Sequence, residues 1–127
     1  MKRLTWGREC RILRRPQFEA CYDEGKKLYT KHFVLFIRPR PFNEKGTRLG
    51  LTVSRKVGCA VVRNRVKRLL REYFRLQQNE FSAPLDIVII PKRKLNVRGL
   101  DLSSVAADIT EPLKKCLSKM NLAPTDV

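Results

Sequence analysis

The sequence is poor in the residue types that most enzyme chemistry needs. His32 is the one histidine in 127 residues, and 12 acidic residues stand against 28 Lys and Arg, for a formal net charge of +16. No nucleophile-histidine-carboxylate set and no carboxylate pair stands out, and His32 sits in a strand pattern, where a structural role outweighs general-base work. A catalytic site built from the chain's own side chains is therefore not expected. Cys10, Cys21, Cys59 and Cys116 are scattered, with no C-x-x-C pair. That spacing argues against a metal site and reads instead as small, mostly buried, reduced apolar residues. Long apolar runs are also missing. Phe33 to Ile37 and Ile87 to Ile90 are the longest, far short of the ~20 residues that span a bilayer. The basic start of the chain has no continuous apolar stretch, no small-residue cleavage pattern and no serine before its first helical pattern. A secretory or transit segment is thus not expected, and a soluble cytoplasmic protein with no membrane contact is.

What is present is basic charge. Its excess goes beyond what solubility needs and tends to oppose a compact state, so a polyanionic partner is the natural compensation. Nucleic acid leads over an anionic membrane surface, because Lys and Arg are woven into apolar-patterned segments instead of forming a tail. The length suits one domain with a core of its own, taken here as residues 1–120, with 121–127 a fraying tail. No obligate protein partner is evident.

Pro16 at a first turn, Phe18 and Tyr22 on one face, and Gly25 as a stop predict a short helix. Lys27 to Arg38 is β-like, as one strand or as two meeting near Lys31, and its run Phe33 to Ile37 is apolar on both faces, as in a covered strand. Arg38 to Thr47, with Pro39, Pro41 and Gly46, reads as a connection. Arg48 to Ser54 alternates, with Leu49, Leu51 and Val53 on one face and Gly50, Thr52 and Ser54 on the other, as in a half-buried strand. Gly58 is placed as the cap of a long helix from Cys59 to Gln78. Leu85 to Ile90 is a buried strand stopped by Pro91. Asp101 to Met120 is a second long helix, capped by Ser103 or Ser104 and open to a kink at Pro112. A sheet with helices packed on it follows.

From Lys45 to Arg71 there is no acidic residue, while Arg48, Arg55, Lys56, Arg63, Arg65, Lys67, Arg68 and Arg71 fall in that stretch. At about 100° per residue, Val62, Val66, Leu69, Leu70 and Tyr73 gather on one side of the helix. Arg63, Asn64, Lys67, Arg68, Arg71 and Arg75 gather on the other. A basic helical face is ordinarily a solvated surface laced with acidic partners. Here only Glu72 is available, so the like charges point to phosphate. Guanidinium forks bind phosphate in a bidentate way, and the Asn64 amide both donates and accepts in their midst.

The run Val57-Gly58-Cys59-Ala60-Val61-Val62-Arg63-Asn64-Arg65-Val66-Lys67-Arg68-Leu69-Leu70-Arg71-Glu72 resembles the signature helix of the bacterial ribonuclease P protein subunit. The likeness extends to Leu49 to Lys56 before it, to Arg14-Arg15-Pro16-Gln17-Phe18, and to Phe33-Val34-Leu35-Phe36, and covers most of residues 10–92. The resemblance implies an α+β two-layer sandwich in the order α-β-β-β-α-β-α, its central mixed sheet holding a left-handed strand-helix-strand crossover against the general right-handed rule. It implies a ribonucleoprotein nuclease for tRNA processing, in which a catalytic RNA, using magnesium ions held mainly on that RNA, hydrolyses precursor tRNA to remove the 5′ leader. RNA contacts carry over to Arg55, Lys56, Arg63, Asn64, Arg65, Lys67, Arg68 and Arg71. The leader-binding cleft carries over to Phe18, Tyr22, Val34 and Phe36, whose aromatics also suit an ordinary helix-on-sheet core. Two positions depart from the family pattern: Cys59 replaces a polar or basic residue, and Phe36 a frequent tyrosine. Composition leaves a ribosomal or ribosome-assembly protein of similar fold as the alternative.

Overall fold

The structure, a computed structural model, describes residues 11–40, 46–77, 84–92 and 97–119. Cys10 and the tail expected from Asn121 to Val127 lie outside the described residues. In chain order the elements are α1 (Arg15–Glu24), β1 (Lys26–Tyr29), β2 (Phe33–Pro39), β3 (Thr47–Leu51), α2 (Ala60–Leu76), β4 (Leu85–Pro91) and α3 (Leu102–Lys119), with 3-10 turns at Arg55–Val57 and Val97–Gly99. This is the expected α+β order.

The sheet runs β1-β2-β4-β3. The short link from Tyr29 to Phe33 leaves β1 and β2 no option but an antiparallel hairpin, whereas α2 carries the chain back far enough for β3 and β4 to lie parallel. β2 and β4 are antiparallel, which makes the sheet mixed. Asp108 of α3 clips the hairpin turn, accepting hydrogen bonds from Thr30 Oγ1 (2.8 Å) and from the N–H groups of Lys31 (2.9 Å) and His32 (3.0 Å).

Strand alternation divides the apolar residues between two faces. On one, Leu35, Ile37, Leu49, Ile87 and Ile89 pack against Val66, Leu70 and Phe74 of α2 and Val105, Ile109 and Leu113 of α3. Tyr73 is buried there too, its hydroxyl 2.6 Å from Thr110 Oγ1. On the opposite face α1 lays Cys21 and Phe18 over Val88, Phe36 and Ile90, with Ile12 alongside. The α2/α3 layer thus holds the main core, and α1 covers part of the other face. β4, covered on both, is buried from Leu85 to Ile89, which explains the apolar run from Ile87 to Ile90.

Several expectations change. β3 ends at Leu51, and Gly50 is buried and not solvent-facing, because the Phe18 ring lies so close that a Cβ on Gly50 would sit 2.7 Å from Phe18 Cε1. Gly58 is not the helix cap: it lies at φ 155°, a conformation open to glycine, where a Cβ would also meet Val62 Cγ1 at 2.8 Å, and Cys59 takes the cap position. Pro91 continues β4 opposite Phe33 instead of stopping it. α3 is capped by neither Ser103 nor Ser104 alone. Asp101 accepts from the Ser104 N–H (2.8 Å) while Ser104 Oγ accepts from the Asp101 N–H (2.9 Å), the reciprocal arrangement of a capping box.

Asp86 is the residue the sequence reading passed over. Fully buried in β4, it sits opposite Arg48 in register and takes both forks of that guanidinium, at 2.7 and 2.8 Å, with Arg40 Nε at 3.3 Å and Arg38 Nη1 at 3.8 Å.

Candidate nucleic-acid interface

α2 folds as its period demands. Val66, Leu70, Tyr73 and Phe74 are buried, Val62 and Leu69 half-buried, and the charged residues are left on the outside. Asn64, Arg65 and Arg68 are exposed, whereas Arg63, Lys67 and Arg71 are half-buried through their stems. Asn64, Arg68 and Arg71 come together in a groove of about 470 Å³, whose other walls are Arg11, Glu72 and Arg75. Glu72 is spent on Arg75, which donates to it at 2.8 and 2.6 Å. That pairing holds the Glu72 carboxyl below its usual range and raises Arg75. Arg71 moves the other way, lowered first by partial burial and then by the charge of Arg11. Cations thus crowd in this groove with one carboxylate among them, and that carboxylate is taken.

Not every expected residue lines the groove. Arg65 donates to the Leu100 carbonyl at 3.2 Å, which tethers α2 to the start of α3. Arg55 and Lys56 are exposed in the 3-10 turn before α2, where Ser54 Oγ accepts from the Lys56 N–H (3.3 Å). Arg63 and Lys67 flank the groove, and Arg63 Nε is buried with no hydrogen-bond partner among the described residues. Arg11 is the addition. It reaches α2 because the segment before α1 bridges β3, the Ile12 N–H donating to the Leu49 carbonyl at 2.9 Å. Nothing in its local sequence signals that long-range neighbour.

Arg11 and Arg71 also line a smaller pocket with Leu13, Phe18, Leu49 and Leu51. The basic groove therefore runs into the apolar space beside α1. Phe18, Val34 and Phe36, three of the expected cleft residues, are half-buried on the α1 side of the sheet, and Tyr22 is 37% exposed. Tyr22 meets Phe36 edge-on with ring centroids 5.0 Å apart, and its hydroxyl lies 3.0 Å from Thr52 Oγ1. Phe18 and Phe36 are thus both members of a small core and walls of an open face. Sequence reasoning missed Tyr29, which is 59% exposed on that same side. The Lys27 ammonium lies 5.2 Å from the Tyr29 ring centre and 5.5 Å from that of Phe36, and the Lys92 ammonium 5.8 Å from that of Tyr29. Exposed aromatic rings beside cations suit stacked bases joined by phosphates.

The cysteines divide. Cys21 is buried, its thiol pushed up to about 11 by desolvation and by Asp86, and Cys116 is buried and likewise raised. Cys59, expected to be buried, is exposed at the start of α2, where the N–H groups of Val62 and Val61 lower its thiol. Among the described residues no helix is long and apolar enough to cross a membrane, and no group of His, Cys, Asp and Glu is arranged to hold a metal ion.

Residues 7–120 match the family model described as Ribonuclease P. A Ribonuclease P protein component of Maridesulfovibrio salexigens is 55% identical over 96 residues, covering 76% of this chain and 77% of its own. One from Desulfovibrio desulfuricans is 45% identical over 115 residues, covering 91% and 88%. Among solved structures, the RNase P protein from Thermotoga maritima superposes with a TM-score of 0.74 at 34% identity, covering 83% of this chain and 96% of its own. The Staphylococcus aureus RNase P protein gives 0.72 at 27%, covering 84% and 94%.

Proposed function

Since the chain belongs to the ribonuclease P protein family and is a protein subunit of that ribonucleoprotein, we propose how it serves the enzyme: it grips the RNA subunit through the basic face of α2 and guides the 5′ leader of precursor tRNA into the cleft under α1, in the cytoplasm. The observation that carries this reading is the groove in which Arg11, Asn64, Arg68 and Arg71 meet while the neighbouring carboxylate is occupied by Arg75. Guanidinium groups crowded in this way are relieved by phosphate oxygens, each binding in a fork. Arg55, Lys56, Arg63 and Lys67 extend the same field along and before the helix, and Arg65 fixes the helix to α3. Phe18, Tyr22 and Phe36, joined by Tyr29, offer ring edges and faces to unpaired bases at roughly 1 to 3 kcal/mol per stacked base, with Val34 as an apolar wall between them.

Phosphodiester hydrolysis belongs in this reading to magnesium ions on the RNA, which activate water and stabilise the leaving oxygen. The α2 groove fits that division of labour, since its four guanidinium groups would repel a metal ion and its one carboxylate, Glu72, is held by Arg75. Asp86, a fully buried carboxylate, has both oxygens committed to Arg48 and does not serve as a base.

Reconstitution tests the reading. The chain, added to a ribonuclease P RNA, should raise precursor-tRNA cleavage at low magnesium, and log affinity should fall with log salt at a slope of roughly −4 if about five phosphates are neutralised. His32→Ala should leave cleavage in place. Cleavage by the chain without RNA, a total loss with His32→Ala, or a slope near zero would overturn it.

A further inference from the structure

The edge of the sheet farthest from α2 carries a second basic surface. A groove of about 400 Å³ lies between β1 and the C-terminal half of α3, with Leu28, Pro112 and Cys116 on its floor and Lys26, Lys115 and Lys119 around it. Glu111 is the one acidic residue among its walls. Lys26, Lys115 and Lys119 are exposed, and among the described residues no hydrogen bond or ion pair engages their ammonium groups. Lysines on an edge strand also discourage strand-to-strand aggregation, which would account for Lys26 and Lys27. It would not account for Lys115 and Lys119, which come from a helix and converge on the same space.

Continuity supplies the rest. Lys27 lines this groove, yet its ammonium lies over the rings of Tyr29 and Phe36 on the other side of β1. Lys27 and Phe36 are cross-strand partners, so the step from the aromatic face to the lysine groove crosses a single strand. A flexible chain of phosphates leaving the aromatic face would meet Lys27 at the edge and then Lys26, Lys115 and Lys119 beyond it. Lysine ammoniums are mobile point charges without the fork of a guanidinium. They suit a single strand of variable path better than a helix held in fixed register.

We propose that this groove is a second phosphate-binding surface that takes the distal part of the precursor-tRNA leader after it leaves the α1 cleft. The proposal rests on the leader occupying that cleft. It assigns Lys26, Lys115 and Lys119 a role that depends on leader length, with Lys27 and Tyr29 at the bend.

The test measures affinity of the reconstituted holoenzyme for precursor tRNAs with a graded series of leader lengths, for the unmodified chain, for K26Q/K115Q/K119Q, and for Phe36→Ala. With the unmodified chain, affinity should rise again as the leader grows past the length that fills the cleft. The triple variant should lose that second rise, about tenfold at moderate salt, and flatten the salt slope for long leaders by about 2, as expected for three phosphates of a single strand. Its affinity for the shortest leader should match that of the unmodified chain. Phe36→Ala should weaken binding at every leader length. An unchanged long-leader affinity in the triple variant would overturn the proposal, and so would a loss equal for all leaders and for leaderless tRNA, which would assign the lysines to the RNA subunit or the tRNA body. If Phe36→Ala has no effect at any length, the cleft reading itself fails, whatever the triple variant does.

Discussion

The two sides of the interface are built on opposite economies. On α2, buried Val66, Leu70 and Tyr73 hold a rigid helix whose outer face spends nothing on the core, so Asn64 and Arg68 stand free for a partner. Under α1, the same aromatics hold the fold together and face outward, for Phe18 and Phe36 pack on Val88 while remaining half-exposed. On the proposed function the first surface would bind through charge and should weaken steeply with salt. The second would bind mainly through ring faces, with Lys27 and Lys92 beside them, and should respond less steeply to salt. An exposed charge such as that of Arg68 can be removed with little structural cost, whereas Phe18 and Phe36 cannot be altered without touching stability.

The largest effect expected from a single substitution lies on the cleft side of the sheet. Asp86→Ala would leave Arg48 and Arg40 facing each other without their shared carboxylate, and removing one partner of a buried ion pair costs about 3 to 5 kcal/mol. Urea unfolding should show that loss. A change below about 1 kcal/mol would mean that the arginines escape to water and that the cluster contributes little.

The comparison itself is sharpened by pairing Arg68→Ala with Phe36→Ala in the reconstituted enzyme. Arg68→Ala should weaken assembly with the RNA and reduce the salt slope by about 1, with almost no change in unfolding. Phe36→Ala should lower leader affinity by about 1 to 3 kcal/mol, leave the slope alone, and destabilise the chain through the cavity it opens beside Val88. Matching profiles for the two variants would erase the distinction between the surfaces.

A smaller effect concerns the cysteines. The thiol of Cys59 is lowered and exposed, so its thiolate fraction at mildly alkaline pH exceeds that of Cys21, whose thiol is raised to about 11 in a buried site. Alkylation followed by peptide mapping should label Cys59 well before Cys21 and Cys116, and bound RNA should slow it. If labelling of Cys59 is unaffected by RNA, the start of α2 does not face the partner.

Much of this was legible in the chain. The element order, the covered strands, the apolar stripe of α2 and the basic face centred on Asn64 follow from local periodicity, and the Arg63-Asn64-Arg65 run pointed to the family. The misplaced features share a cause. Gly50 read as solvent-facing because the ring that covers it comes from α1, and Gly58 read as a cap because its φ is invisible in sequence. Asp86 carried no signal within its buried strand until register set it opposite Arg48. Arg11 joined Arg71, and Lys92 joined Tyr29, only through chain segments distant in sequence.

The sequence by itself thus determined the sign and density of charge, the helix that displays it and the family to which the chain belongs, because charge and helical phase are properties of neighbouring residues. The tertiary structure decided which cations share a groove, which aromatics remain open beside α1, and that a second lysine surface lies one strand away from them. Those depend on strand register and on α1, α2 and α3 taking different faces of one sheet, which no local pattern encodes.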